Sequence, residues 1–214
     1  MKCFRLWFAP LLLACSLILV LSVRPAQAGP NPVVVMETSM GRIMIMLSPK
    51  EAPLTVANFL KYVNAGFYDN TIFHRVINKN KGDQSVAIVQ GGGYTFPINL
   101  KRTLYPPIHN EAASAMLNLK GTIAMARASA PDSATSQFFF NVIDNPNFDY
   151  HQSSSMTGAG SYSQQTSVGY CAFGKVIRGM EVVEKISQVK TARAGLMEDV
   201  PVNPVFIKKA YVAQ

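Results

Sequence analysis

The 214-residue chain is poor in cysteine, histidine and tryptophan, with three, three and one, and each shortage removes a class of chemistry. Cys3 and Cys15 fall in the first 28 residues, so once that leader is removed Cys171 has no internal partner and no disulfide framework exists. Cys171 lies in the apolar run YCAFGKV, where a thiol serves as a small buried hydrophobe. His74, His109 and His151 share no metal-ligand spacing with one another or with cysteine, so no metal is expected. Gly91-Gly92-Gly93 has neither a Walker lysine nor a following helix, which argues against phosphate binding. Thr135-Ser136-Gln137 lacks the G-x-S-x-G elbow of a serine hydrolase. There is no dense basic patch: KNK at 79–81 and KK at 208–209 read as solvated loop and edge-strand charges, so no nucleic-acid partner is expected.

Long apolar runs are also missing, with one exception at the start. Lys2 and Arg5 precede an almost wholly apolar stretch from Leu6 to Val23, and Ala26-Gln27-Ala28 then offers a small-x-small cleavage pattern. This reads as a cleavable secretory signal over residues 1–28, with one mature domain over 29–214 and no stable membrane anchor. The apolar run approaches spanning length, but the cleavage pattern argues against an anchor. Lipidation at Cys15 suits the sequence poorly, because SLILVL after it stays strongly apolar. Removing the leader takes away Lys2, Arg5 and Arg24 and lowers the formal charge from +8 to +5. Export without disulfides points to a bacterial periplasm or exterior.

What the mature part contains is many short β-rich runs. VVVMET and RIMIML flank Ser39-Met40-Gly41, a hairpin signal. APLTVANFLKYVNAG changes period: Val56, Phe59, Leu60 and Val63 fall at helical spacing, Pro53 suits the first turn and Gly66 the C-terminal end. TIFHRVI, SVAIVQGG, GTIAMA, SQFFFNVI, CAFGKVI and VFIKKAYV read as further strands, and MEVVEKISQV as a second helix with Met180, Val183 and Ile186 inward. Many strands with two helices, in no βαβ rhythm, give a mainly β fold, an antiparallel barrel plugged by helices. NKNKGDQS (78–85) and the Ser/Gln/Gly-rich 151–167 segment read as surface loops, the second long and mobile.

Three strands break in/out patterning. In QFFFNV, Phe138, Phe140 and Val142 form an apolar face, while Gln137, Phe139 and Asn141 lie opposite. In AIVQGG, Ile88 and Gln90 share one face. In TIFHRVI, strict alternation puts Arg75 with Phe73 and Ile77. Apolar groups beside fixed donors suit a peptide-binding cleft, although a lone Arg on a strand more often snorkels over a surface. His74 alone reads as a packing histidine.

FHRVI, QGGG, GTIAMARA, SATSQFFFNV and FGKVIRGMEVVEKI, in this order, resemble the cyclophilin family of peptidyl-prolyl cis–trans isomerases, and the exported start resembles its bacterial periplasmic, cyclophilin A-type form. The likeness runs from about Val33 to Val212. It implies an eight-stranded antiparallel β-barrel capped by two α-helices and an isomerase of Xaa-Pro bonds that assists folding of exported proteins without cofactor or metal. Its partners would be proline-containing unfolded or partly folded exported polypeptides, and the protein a monomer. The resemblance implies that Arg75 is the catalytic donor and that Gln90 orients it. Ile88, Phe139 and Phe148 would floor the proline pocket. Gln137 would hydrogen-bond substrate, His74 and Tyr170 would line the cleft, and Ala126, Arg127 and Ala128 would hold the peptide through backbone, so that the Arg127 side chain matters less. The sequence departs from the family at Ala87, where an aromatic is usual, and at Ile88, which stands for a methionine. The tryptophan of strong cyclosporin binders is absent near NPNFDY, where Asn147 or Phe148 takes its place, which implies weak cyclosporin binding. A binding module or holdase that kept the barrel and lost the rate is the competing reading.

Overall fold

A computed structural model describes residues 31–78, 86–156 and 162–213. The leader and most of the 78–85 loop lie outside the described residues. Val33–Thr38 and Gly41–Leu47 form the first hairpin. Thr38 closes the turn, its Oγ1 donating to Gly41 O at 2.6 Å and accepting the Met40 N–H at 3.1 Å. Alternation then sends Val34, Met36, Ile43, Ile45 and Leu47 into the core.

From one end of the main sheet, hydrogen-bonded neighbours run Arg75–Ile77, Ile88–Gly91, Phe138–Asn141, Thr122–Met125, Ala172–Arg178, Gly41–Leu47, Val33–Thr38, Val205–Val212 and Thr71–Phe73, all antiparallel. The two end segments of these nine are halves of TIFHRVI, interrupted only at His74. The chain itself therefore joins the sheet's two ends, and the ring counts eight strands. A short hairpin, Tyr94–Thr95 with Asn99–Leu100, extends the sheet beyond Thr71–Phe73.

Two helices share the ring's core. Pro53–Asn64 buries Val56, Phe59 and Val63, and Met180–Ser187 buries Val182, Val183 and Ile186. The Phe59 ring lies 5.8 Å from Phe138 and 5.0 Å from Phe173. The first helix starts at Ala52, which has no side-chain acceptor to cap it. Glu111, far off in sequence, supplies one: its carboxylate accepts from the Leu54 N–H at 3.0 Å, the Thr55 N–H at 2.8 Å and Thr55 Oγ1 at 2.7 Å. The two N–H groups are orphan donors of the first turn, satisfied by a carboxylate placed at the positive end of the helix. Gly66 follows the helix with φ +62°, the left-handed conformation that ends helices. No helix among the described residues is long and apolar enough to cross a membrane.

The 151–167 segment differs from expectation. His151–Met156 pairs antiparallel with Tyr162–Ser167. Backbone pairing needs no apolar face, so a Ser/Gln-rich hairpin leaves no alternation for sequence reading to detect. A second hairpin, Thr191–Ala194 with Met197–Pro201, was likewise unmarked in sequence.

Candidate active site

Two adjacent registers cross the same four strands. Val76, Val89, Phe140 and Ile123 pair in one row and are fully buried inside the ring. One residue away, Arg75, Gln90, Phe139 and Ala124 pair in a second row, which the pleat turns to the outside. Ala172 continues that row on the next strand. Ile88, Ala124, Phe139 and Ala172 make a small apolar cluster separate from the core, with Ile77, Val86, Ala126, Phe148 and Tyr170 packed against it.

A cleft of about 380 Å³ opens over this cluster. Its aromatic side is three mutually packed rings: Phe139–Phe148 at 5.5 Å, Phe139–Tyr170 at 5.6 Å and Phe148–Tyr170 at 4.9 Å between centroids. Such tilted and edge contacts fix ring positions beyond simple area burial. Arg75 lines the opposite side beside Ile77 and Ile88, and among the described residues no hydrogen bond or ion pair engages its guanidinium. The cation's donors are therefore available to a ligand.

The expected sharing of a face by Arg75 and Phe73 does not occur. Phe73 is fully buried, its ring 6.4 Å from Phe138, whereas Arg75 is exposed on the outer side. The strand breaks at His74, with Phe73 paired to Val205 and Arg75 to Gln90, and the alternation slips by one residue across the break. His74 is buried at 2% exposure, its N–H donating to Gln90 O at 3.1 Å and its ring 4.5 Å from that of Tyr94. Burial, then the adjacent Arg75 charge, lower its pKa to about 4, so the imidazole is neutral at neutral pH.

Of the residues singled out from sequence, Arg75, Ile88, Gln90, Ala126, Arg127, Phe139, Phe148 and Tyr170 line this one cleft. His74, Ala128 and Gln137 do not. Gln137 stands two residues before Phe139, where its Oε1 accepts from Gln90 Nε2 at 3.1 Å. Gly93 makes room for it: a Cβ there would meet Gln137 Cγ at 2.6 Å. The Gln90 side chain is thus held by Gln137, with no side-chain hydrogen bond to Arg75. Ile77 and Val86 also line the cleft and were not named as site residues. Period 2 from Arg75 and from Ile88 points to both.

Arg127 is engaged through its side chain. Its Nε and Nη2 each donate to Gly169 O at 3.1 Å, Nη1 donates to Ala128 O at 3.1 Å, and the guanidinium carbon lies 4.5 Å from the Tyr170 ring centroid. Behind the cleft, Asn118 Nδ2 donates to Phe148 O at 3.1 Å and Tyr170 O at 3.0 Å. Asn141 and Asn145 extend this buried amide chain to the Ala87 backbone. Cys171 is buried against Thr55, and desolvation pushes its thiol up to about 12, which keeps it unreactive.

Residues 33–212 match the family model described as cyclophilin type peptidyl-prolyl cis-trans isomerase/CLD. The chain is 45% identical over 179 residues to peptidyl-prolyl cis-trans isomerase A of Dickeya dadantii, covering 84% of this chain and 83% of the relative. It is 43% identical over 181 residues to peptidyl-prolyl cis-trans isomerase B of Escherichia coli, covering 85% and 99%. A Cryptosporidium parvum cyclophilin-type isomerase crystallised in the presence of the dipeptide Ala-Pro has the same fold, with a TM-score of 0.62 at 23% identity, over 85% of this chain and 99% of that one.

Proposed function

The chain belongs to the cyclophilin family of peptidyl-prolyl cis–trans isomerases, and from that membership we propose that the outer cleft is the catalytic site, with Arg75 as its charged donor. The barrier to rotation about an Xaa-Pro bond, about 18–20 kcal/mol, comes from amide resonance. At the twisted midpoint resonance is lost and the proline nitrogen regains a lone pair. A donor aimed at that nitrogen therefore binds the transition state better than either planar isomer. Guanidinium stays charged at all relevant pH values, and the greasy neighbours Ile77 and Ile88 limit competition from water. Phe139, Phe148 and Tyr170 form the wall on which the proline ring sits. His74 and Gln137 act from behind, through the strand and through Gln90.

The observation that carries this reading is the row Arg75–Gln90–Phe139, which sets a cation without a hydrogen-bond partner among the described residues and an aromatic floor in register on one cleft. Removing such a donor costs about 10²–10³ in rate. Isomer exchange in a short Xaa-Pro peptide should thus be accelerated by the wild type and fall by that factor in Arg75→Ala. Peptide binding by the wild type without acceleration would favour the binding module.

The finer role is assistance to the folding of exported, proline-containing polypeptides in the periplasm, by a monomer released after cleavage behind Ala28. The basic start, apolar run and small-x-small site support it. A mass for the exported protein that retains residues 1–28 or carries lipid on Cys15 would overturn it. The one tryptophan, Trp7, precedes the cleavage point, which supports weak cyclosporin binding. Nanomolar inhibition of the purified protein would contradict that.

A further inference from the structure

We propose that the Arg127 guanidinium is a positioning residue that sets the aromatic wall of the cleft, by clamping the Ala126–Ala128 segment to the chain that carries Tyr170. This rests on the reading of the cleft as the proline site. Residues 127 and 169 are far apart in sequence, yet the planar fork of Arg127 delivers two donors to one carbonyl, Gly169 O, and a third to Ala128 O. Its face covers the Tyr170 ring at 4.5 Å, and Tyr170 braces both Phe139 and Phe148. The carbonyl it grips is where the 151–167 hairpin returns to the barrel. That return is already tight: Gly169 has φ +61°, and a Cβ there would meet Tyr150 N at 2.6 Å.

Asn110 holds the same turn, its Nδ2 donating to Val168 O at 2.8 Å and to Gly169 O at 3.2 Å. Of these two anchors only Arg127 also lines the cleft. A lysine at 127 keeps the charge but has no fork, so it cannot bridge Gly169 and Ala128 while lying flat on Tyr170. The clamp contributes to where the proline ring sits rather than to the bond rotation, which Arg75 serves. Its loss therefore weakens peptide binding and leaves turnover of bound peptide nearly intact.

The test measures, for a short Xaa-Pro peptide, the Kd by titration and the exchange rate in the saturated complex. Wild type is compared with Arg127→Ala, Arg127→Lys, Tyr170→Leu, the Arg127→Ala/Tyr170→Leu double variant and Arg75→Ala, with thermal unfolding followed in parallel. Both Arg127 variants should weaken binding about tenfold, with the saturated rate within about twofold of wild type. The double variant should bind no worse than Tyr170→Leu, because the two residues act as one wall. Wild-type Kd in Arg127→Ala, full restoration by Arg127→Lys, or additive losses in the double variant would each overturn the clamp. A saturated rate unaffected by Arg75→Ala would instead overturn the catalytic reading of the cleft, so the two failures are separable.

Discussion

The inner row Val76–Val89–Phe140–Ile123 and the outer row Arg75–Gln90–Phe139–Ala124 come from the same four strands, one residue apart. The inner row is made of residues that can only pack. The outer row mixes a cation, an amide, an aromatic and a methyl, and it faces a cleft rather than the core. A β-strand thus writes fold and chemistry on alternate letters. Stability should respond to the inner letters and catalysis to the outer ones.

The largest expected effect is on the inner row: Phe140→Ala should lower unfolding free energy by about 3–5 kcal/mol, while the exchange rate per folded molecule changes little. Comparable losses of rate and stability would blur the division. On the outer row, Arg75→Ala should leave the unfolding free energy, read from urea titration, within about 0.5 kcal/mol of wild type despite its loss of rate, since no hydrogen bond or ion pair among the described residues engages its guanidinium. A large shift in midpoint would show Arg75 to be structural.

His74, between the rows, sharpens the comparison through pH. Its folded pKa of about 4 lies below the unfolded value of 6.5. The neutral imidazole's contribution is therefore fully present above pH 6.5 and lost as pH falls toward 4, because only the unfolded chain takes up the proton in that window. The loss amounts to about 3 kcal/mol at 1.36 kcal/mol per pH unit. Urea midpoints from pH 7.5 to 4 should fall more steeply for wild type than for His74→Gln, and parallel slopes would contradict the assignment. A smaller loss than at Phe140 belongs to neither row: Glu111→Gln, which keeps the shape but drops the charge and one of the two acceptor oxygens at the first helix, should cost about 1–3 kcal/mol, with peptide Kd unchanged.

The outer row was readable where alternation is strict. Phe138–Asn141 and Ile88–Gly91 keep period 2 throughout, so Phe139, Ile88 and Gln90 were assigned to the correct side from letters alone. Alternation failed at His74, because no residue type there announces that the strand changes partners between Phe73 and Arg75. Ile77 and Val86 follow from the same period, but an aliphatic residue carries no chemical flag of its own, and Ile88 is marked only by the family resemblance. The Arg127 contacts were beyond reach for a different reason: their acceptor is a backbone carbonyl 42 residues away, and carbonyls are the same in every sequence. The hairpin His151–Met156 with Tyr162–Ser167 was hidden by its Ser/Gln-rich composition, which leaves no apolar alternation to read.

The single interrupted run Thr71–Ile77 also serves as the weld of the cylinder. Its first half bonds to Val205–Ile207 and its second to Ile88–Gln90. Arg75 stands in this wall rather than on a loop, so it is not released locally, as a loop residue could be, without parting the wall itself. The group assigned the chemistry is thereby tied to the cooperative unfolding of the whole domain, and a molecule whose wall has closed has, in the same event, its charge in place.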